Sequence, residues 1–588
     1  MAANKKFLFL ILLLAAVLRL YGLGRGDTMG DEVLYSFRAI GPMDFDVAEF
    51  QTTPWEWFDQ GSPSNSSGHP GTGVPWWAKI SFHDHPPLVF WVQHIFIKIL
   101  GENNFAFRLP SALLGTASVY LIYLIGERLL SSKAGLMSAL LLAVTVNHVF
   151  ISRIGLQESY VIFFFLLILH WFLKSLTAPH YFIITGVALG LGALTKYTTL
   201  IVAPIMLTYL VLFYRKLFLS KYLWGGVALA LIIASPIFIY NLMLYKTVGH
   251  FDFQFSYIFG QHPQVWQSAP GKEEIGALGD RVGNFIPELI NSNSWMLLII
   301  LSLTGSLFLS RLILRKVTLS ASGVFLIINL VFLTGLMLLI GPTRRFLTIL
   351  TPIIILTISA YLQNMLSPKK LVNIILGVAI IVAVIVFEIF YSVNSQIFYY
   401  PWVGPNSTPP SFRTTEGHSK ATLGEAVWLY SKVRYDNYNW GYNELKDFFD
   451  VELKNKMPAL AFDSKYQFLE SQQEEFLKKA RQQGFQAYPV LIVYDNLVAN
   501  IPQLWILDRL QIYHGWPVIK AEDYLALGNK NAFTETYFIR PTASVPFKKL
   551  SRLSKAADII ESDLMARGSR PVILKNKRNE DVFRIYSF

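Results

Sequence analysis

Apolar runs long enough to cross a bilayer recur through the first two thirds of the chain and then stop. A spanning helix needs about 20 mostly apolar residues. Such runs lie near 6–23, 107–126, 135–151, 159–176, 181–195, 198–214, 222–243, 294–310, 320–341, 346–362 and 371–392. They predict a polytopic α-helical membrane domain over 1–392 with about 11 transmembrane helices. The stretch His85–Leu100 is apolar but short and opens on two prolines, so it predicts an interfacial or re-entrant helix. Residues 24–106 then form one long external loop. Residues 393–413, rich in Pro, Ser, Tyr and Asn, read as a linker. In 414–588 the pattern changes to short β-branched and aromatic runs at 457–463, 489–495, 536–541 and 571–575. A helical pattern at 464–483, closed by Gly484, separates the first two and predicts a soluble α/β domain.

Charge sharpens this division. Residues 393–588 carry 46 Asp, Glu, Lys and Arg in 196 positions, against 44 in the first 392. Lys5 and Lys6 precede the first span. Placing them inside puts Arg128, Lys133, Lys174, Arg215, Lys216, Lys221, Arg311, Arg315, Lys316, Lys369 and Lys370 on the cytoplasmic side as well. An odd number of spans then leaves the C-terminal domain extracytoplasmic. Topology thus explains much of the net charge of +12, and no nucleic-acid partner is expected. The absence of cysteine excludes a disulfide framework, thiolate catalysis and a Cys-based zinc site.

With this orientation, residues unusual for a membrane protein collect on the outer face. They are Asp31, Glu32, His83, Asp84, His85, Arg153, Glu158, Lys196, His262, Arg344 and Arg345. Lys196, Arg344 and Arg345 oppose the positive-inside trend. A cation retained there asks for an anionic partner, and a lipid phosphate is the obvious one. Taken singly, each has a structural alternative. Asp31 and Glu32 could cap the helix that follows, Arg153 and Glu158 could form an ion pair, and Lys196 could snorkel. His148, His170 and Glu388 read as buried polar groups.

Six short motifs occur in order: Gly30–Tyr35, His85–Trp91, Arg108–Gly115, Ser152–Ser159, Gly190–Tyr197 and Arg344–Pro352. Together they make 1–365 resemble the large-domain GT-C glycosyltransferases, in particular the protein O-mannosyltransferases and the bacterial aminoarabinose transferase of lipid A. The resemblance implies a polyprenyl-phosphate-linked sugar as donor and transfer to an acceptor hydroxyl with inversion. It implies catalytic roles for Asp31 and Glu158, with Asp31 as the base. Arg153, Lys196, Arg344, Arg345 and His85 would bind the donor phosphate, with Glu32 and His83 in support. Asp84 and His262 resemble a pair that holds a divalent metal ion. The acceptor (protein, lipid or glycan) stays open, membrane lipids are the surroundings, and a prokaryotic inner membrane is the expected location. A lipid-linked-sugar flippase or transporter and a polysaccharide ligase are the alternatives. A transporter would be expected to show internal repeats and broken helices with polar groups at mid-membrane.

Overall fold

A computed structural model describes residues 2–28, 31–41, 76–263, 276–313, 320–365, 371–393, 439–456, 469–496, 498, 503–542, 555–577 and 579–588. The linker beyond residue 393, the strand predicted at 457–463 and the loop residues Arg315, Lys316, Lys369 and Lys370 lie outside them. Each predicted span falls on one helix or on two in succession. Among the described residues, four stretches are unbroken and apolar enough to cross: Asn104–Leu129, Gln157–Ser175, Ala321–Ile340 and Phe346–Gln363. The runs at 135–151 and 222–243 are bent pairs, turning 60° between Ser132–Val144 and Val146–Arg153 and 50° between Lys221–Ile233 and Ser235–Val248. One break has a local cause and the other a distant partner. Pro236 sits in the first turn of the second helix of its pair and cannot continue the ladder behind it. At the other, the Glu388 carboxylate accepts the Val146 N–H at 2.7 Å, satisfying a donor that the break releases.

Close helix contact rests on small residues where side chains would intervene. A Cβ on Gly186 would stand 2.0 Å from the Gly226 carbonyl oxygen, so helices Phe182–Thr195 and Lys221–Ile233 meet backbone to backbone. His85–Leu100 supplies the helix Leu88–Leu100, thirteen residues long, with Val89, Phe90 and Ile97 buried and Ile95 and Ile99 exposed.

The C-terminal region folds on a five-stranded sheet: β1 (Tyr488–Tyr494), β2 (Val518–Lys520), β3 (Phe533–Pro541), β4 (Val572–Lys575) and β5 (Asp581–Ser587), in the order β2-β1-β3-β5-β4. β1 runs parallel to β2 and β3, while β5 is antiparallel to β3 and β4. The run Pro489–Tyr494 is almost wholly buried, as a central parallel strand covered on both faces requires. The helix Leu469–Gln482 precedes β1 and ends at Gly484, whose φ of +84° suits glycine. This sheet is not isolated from the helices. Val33, Phe37, Ala39, Ile97, Ala106 and Phe107 of the first half belong to the same apolar core as Trp505, Phe538 and Phe583.

Candidate active site

Four segments far apart in sequence bring four charges together. Asp31 opens the helix Asp31–Ile40 and Glu158 lies in the first turn of Gln157–Ser175. Lys196 closes Phe182–Thr195, and Arg345 immediately precedes the turn Phe346–Leu350. Arg345 bridges the two acids: Nη1 lies 2.6 Å from Asp31 Oδ2 and Nε lies 3.1 Å from Glu158 Oε1. Lys196 Nζ donates to the same Glu158 oxygen at 3.0 Å. The Phe346 ring lies against both cations, with Lys196 Nζ 4.2 Å from its centroid.

The two acids differ in access. The Asp31 side chain is 50% exposed and that of Glu158 only 6%, so Asp31 is the one an incoming molecule can reach. Glu158 Oε2 is buried without a hydrogen-bond partner among the described residues. A cavity of about 20 Å³ adjoins Glu158 and Lys196, and Val161, Ile162, Met337 and Ile340 line its apolar side.

A second polar chain runs beside this cluster. Arg38 Nη1 donates to Asp84 Oδ1 at 3.1 Å, and His85 Nδ1 stands 2.7 Å from Asp84 Oδ2. The other ring nitrogen of His85 meets the Tyr35 hydroxyl at 2.9 Å, and that hydroxyl donates to Gln157 Oε1 at 3.1 Å. Burial alone would raise the Asp84 carboxyl, but Arg38 and then His85 hold it well below the usual carboxylate range. Sequence reasoning passed over Arg38, Tyr35 and Gln157. A usable signal was there for Tyr35, which follows Asp31 by one helical turn.

The remaining expected residues fall elsewhere. Arg153 is 1% exposed and donates to the carbonyls of Leu18, Arg19 and Tyr21, the open C-terminal end of the first helix. These contacts tie its Nη1 to backbone carbonyls and not to the cluster of Asp31, Glu158, Lys196 and Arg345. Glu32 accepts from Arg108 Nε and Nη2 at 2.7 and 2.8 Å and from the Gly155 N–H at 2.7 Å, a saturated buried pair. His83 is buried against the Tyr240 hydroxyl and the ring of His250. Arg344 joins through its carbonyl, which accepts from Ser292, and of the two arginines Arg345 is the one bridging the acids.

The donor set expected for a divalent metal does not fit this arrangement. Both Asp84 oxygens already have partners, Arg38 Nη1 and His85 Nδ1, and His262 is exposed. Among the described residues no group of three or more His, Asp or Glu is placed to hold a metal ion.

Comparison with known proteins bears on this geometry. Residues 84–240 match the family described as dolichyl-phosphate-mannose-protein mannosyltransferase. The crystal structure of ArnT from Cupriavidus metallidurans bound to undecaprenyl phosphate superposes with a TM-score of 0.51 and 13% identity, covering 99% of this chain and 97% of that one. The fold is therefore the GT-C membrane-domain fold with a small C-terminal sheet, that of integral membrane proteins. YycA of Bacillus subtilis (strain 168), named only provisionally as a mannosyltransferase, is 36% identical over 84 residues, 14% of this chain and 12% of its own. The undecaprenyl phosphate-alpha-4-amino-4-deoxy-L-arabinose arabinosyl transferase of Wigglesworthia glossinidia brevipalpis is 24% identical over 155 residues, 25% of this chain and 28% of its own. The matched segments span 12% to 33% of the length of the curated relatives.

Proposed function

We propose that this chain is an integral membrane glycosyltransferase. It moves a sugar from a polyprenyl-phosphate donor to an acceptor hydroxyl, on the face of the membrane that carries Asp31 and the C-terminal domain. The observation that carries the reading is the meeting of Asp31, Glu158, Lys196 and Arg345 from four separate segments. The matched family and the arabinosyl transferase relative, both named for lipid-phosphate-linked donors, support it. By the positive-inside argument that face is extracytoplasmic.

In the proposed reaction Asp31, the accessible acid, takes the proton of the acceptor hydroxyl as that oxygen attacks the anomeric carbon. The bond from that carbon to the phosphate oxygen breaks, and the electron pair leaves with the polyprenyl phosphate. Lys196 and Arg345 stabilise the charge gathering on the departing phosphate. Glu158 holds the two cations at a fixed separation before the donor arrives, so it acts as their anchor more than as a proton carrier. One displacement at carbon gives inversion. A phosphate entering this site would compete with the carboxylates for the cations and free Asp31 from Arg345.

The test is transfer by the purified chain in nanodiscs, with undecaprenyl phosphate carrying radiolabelled mannose or 4-amino-4-deoxyarabinose, offered peptide, lipid and glycan acceptors. Labelled product with release of undecaprenyl phosphate is expected. Movement of the intact donor across the bilayer without release would replace the enzyme by a flippase.

A further inference from the structure

Besides the shared apolar core, the C-terminal domain is held to the membrane domain by a short strap, residues 23–27, that ends four residues before Asp31. Asp27 is 2% exposed, and the transfer chemistry makes no use of it. Its Oδ1 accepts the Asn443 N–H at 2.8 Å, and its Oδ2 accepts the Trp440 N–H. These donors stand at the start of the helix Tyr442–Glu452, whose own N-cap, Gly441, has no side chain to offer. A helix start leaves four N–H groups open, and an acid there is favoured both as acceptor and by the dipole. Here the cap comes from a residue more than 400 positions away.

The strap is gripped from both sides. From the membrane domain, Arg108 donates to the carbonyls of Leu23, Gly26 and Asp27, and Asn104 donates to Gly26. From the C-terminal domain, Asn443 Nδ2 reaches the Gly24 carbonyl at 3.2 Å and Lys577 Nζ the Arg25 carbonyl at 2.7 Å. Downstream of the strap, the helix that Asp31 opens packs Phe37 on Tyr513 of the C-terminal domain, ring centroids 5.0 Å apart. The helix bearing Asp31 is thus fixed by the C-terminal domain both ahead of its first residue and along its length.

We propose that Asp27 is a positioning residue: by capping the helix Tyr442–Glu452 it makes docking of the C-terminal domain set the placement of Asp31 against Arg345. This rests on the transferase reading for its functional consequence but not for its structural one. A domain docked this way is a part of the catalytic apparatus. Movement of the sheet domain on binding an acceptor would be felt directly at Asp31.

Two readouts test it on the full chain in nanodiscs. In Asp27→Ala, amide exchange at the start of Tyr442–Glu452 should rise about tenfold, the loss expected for a missing cap, and exchange in 31–40 should rise with it. Exchange in β1, at Tyr488–Tyr494, should stay at the wild-type rate. Turnover should fall by about tenfold with undecaprenyl phosphate binding changed by less than about twofold, because Lys196 and Glu158 are untouched. Asp27→Asn keeps one acceptor and should lie between wild type and Asp27→Ala. It also serves if Asp27→Ala is not recovered folded. Wild-type exchange in 31–40 in the recovered variants would overturn the proposal. So would equal acceleration in β1, which would make Asp27 a support for the domain's own folding. If the wild type transfers nothing from any polyprenyl-phosphate sugar, the transferase reading falls, and the exchange measurement still decides the positioning role.

Discussion

Asp31 and Glu32 are neighbours in sequence and opposites in environment. Glu32 is buried and both its oxygens accept hydrogen bonds, from the Arg108 fork and the Gly155 N–H. Gly155 itself admits no side chain, because a Cβ there would stand 2.6 Å from the Phe107 ring. Asp31 is half exposed and, among the described residues, is held by Arg345, which divides itself between two acids. A saturated pair fixes backbone, whereas an unsaturated one can exchange partners when an anion arrives. The contrast separates architecture from chemistry within two consecutive residues.

Breaking the saturated pair has the largest expected effect on the protein itself. Glu32→Gln leaves Arg108 buried without its counter-charge, a loss of about 3–5 kcal/mol for such pairs. The melting temperature should drop sharply and the yield of folded protein with it. A melting curve equal to wild type would show that Arg108 needs no counter-charge there. The cluster around Asp31 should respond in affinity instead of stability. Lys196→Gln or Arg345→Gln removes a charge-assisted contact worth about 1.5–3 kcal/mol, roughly ten- to hundredfold in undecaprenyl phosphate binding. The loss should not depend on the acceptor, and unchanged titrations in both variants would take the phosphate away from this cluster. Lys196→Arg should retain part of the affinity, since charge persists while the compact ammonium does not.

A smaller effect separates the strap from both. Burial, followed by the charge of Glu444, pushes the Asp27 carboxyl up to about 7, against the pull of the Trp440 and Asn443 N–H groups and of Arg108. Lys577 also reaches the strap, at the Arg25 carbonyl. A raised carboxyl binds its proton more tightly in the docked state than in an unfolded chain. Its contribution is complete below the ordinary aspartate range and is lost as pH rises through about 7. Between about pH 5.5 and about pH 8 the melting temperature should fall by a few degrees more in the wild type than in Asp27→Asn. Parallel curves for the two proteins would remove Asp27 as the titrating group.

The helices were legible in the sequence because an apolar run of sufficient length has few other outcomes. Their breaks were not: one depends on Glu388 reaching Val146 from 242 residues away. Lys196 and Arg345 stood out as cations on the wrong side of the membrane, and both reach the cluster. Arg153, placed on the same outer face, goes to the end of the first helix, since hydropathy does not record which donors a backbone carbonyl consumes. Asp84 illustrates the same gap. Its expected metal partner lay in the sequence at 262, while the partners it has are His85 and Arg38, whose guanidinium lies against the rings of Phe82 and Phe90. β5 escaped notice because Asp581, Arg584 and Ser587 interrupt its apolar pattern, although Val582, Phe583, Ile585 and Tyr586 are all buried.

The central claim is that Asp31 is the base in a site whose cations hold a lipid phosphate. The most direct measurement is turnover and undecaprenyl phosphate binding on one preparation of Asp31→Asn. The account predicts turnover lower by about 10²–10⁴, the usual contribution of a positioned base, with donor-lipid binding and melting temperature close to wild type. Near-normal turnover in that protein would contradict it.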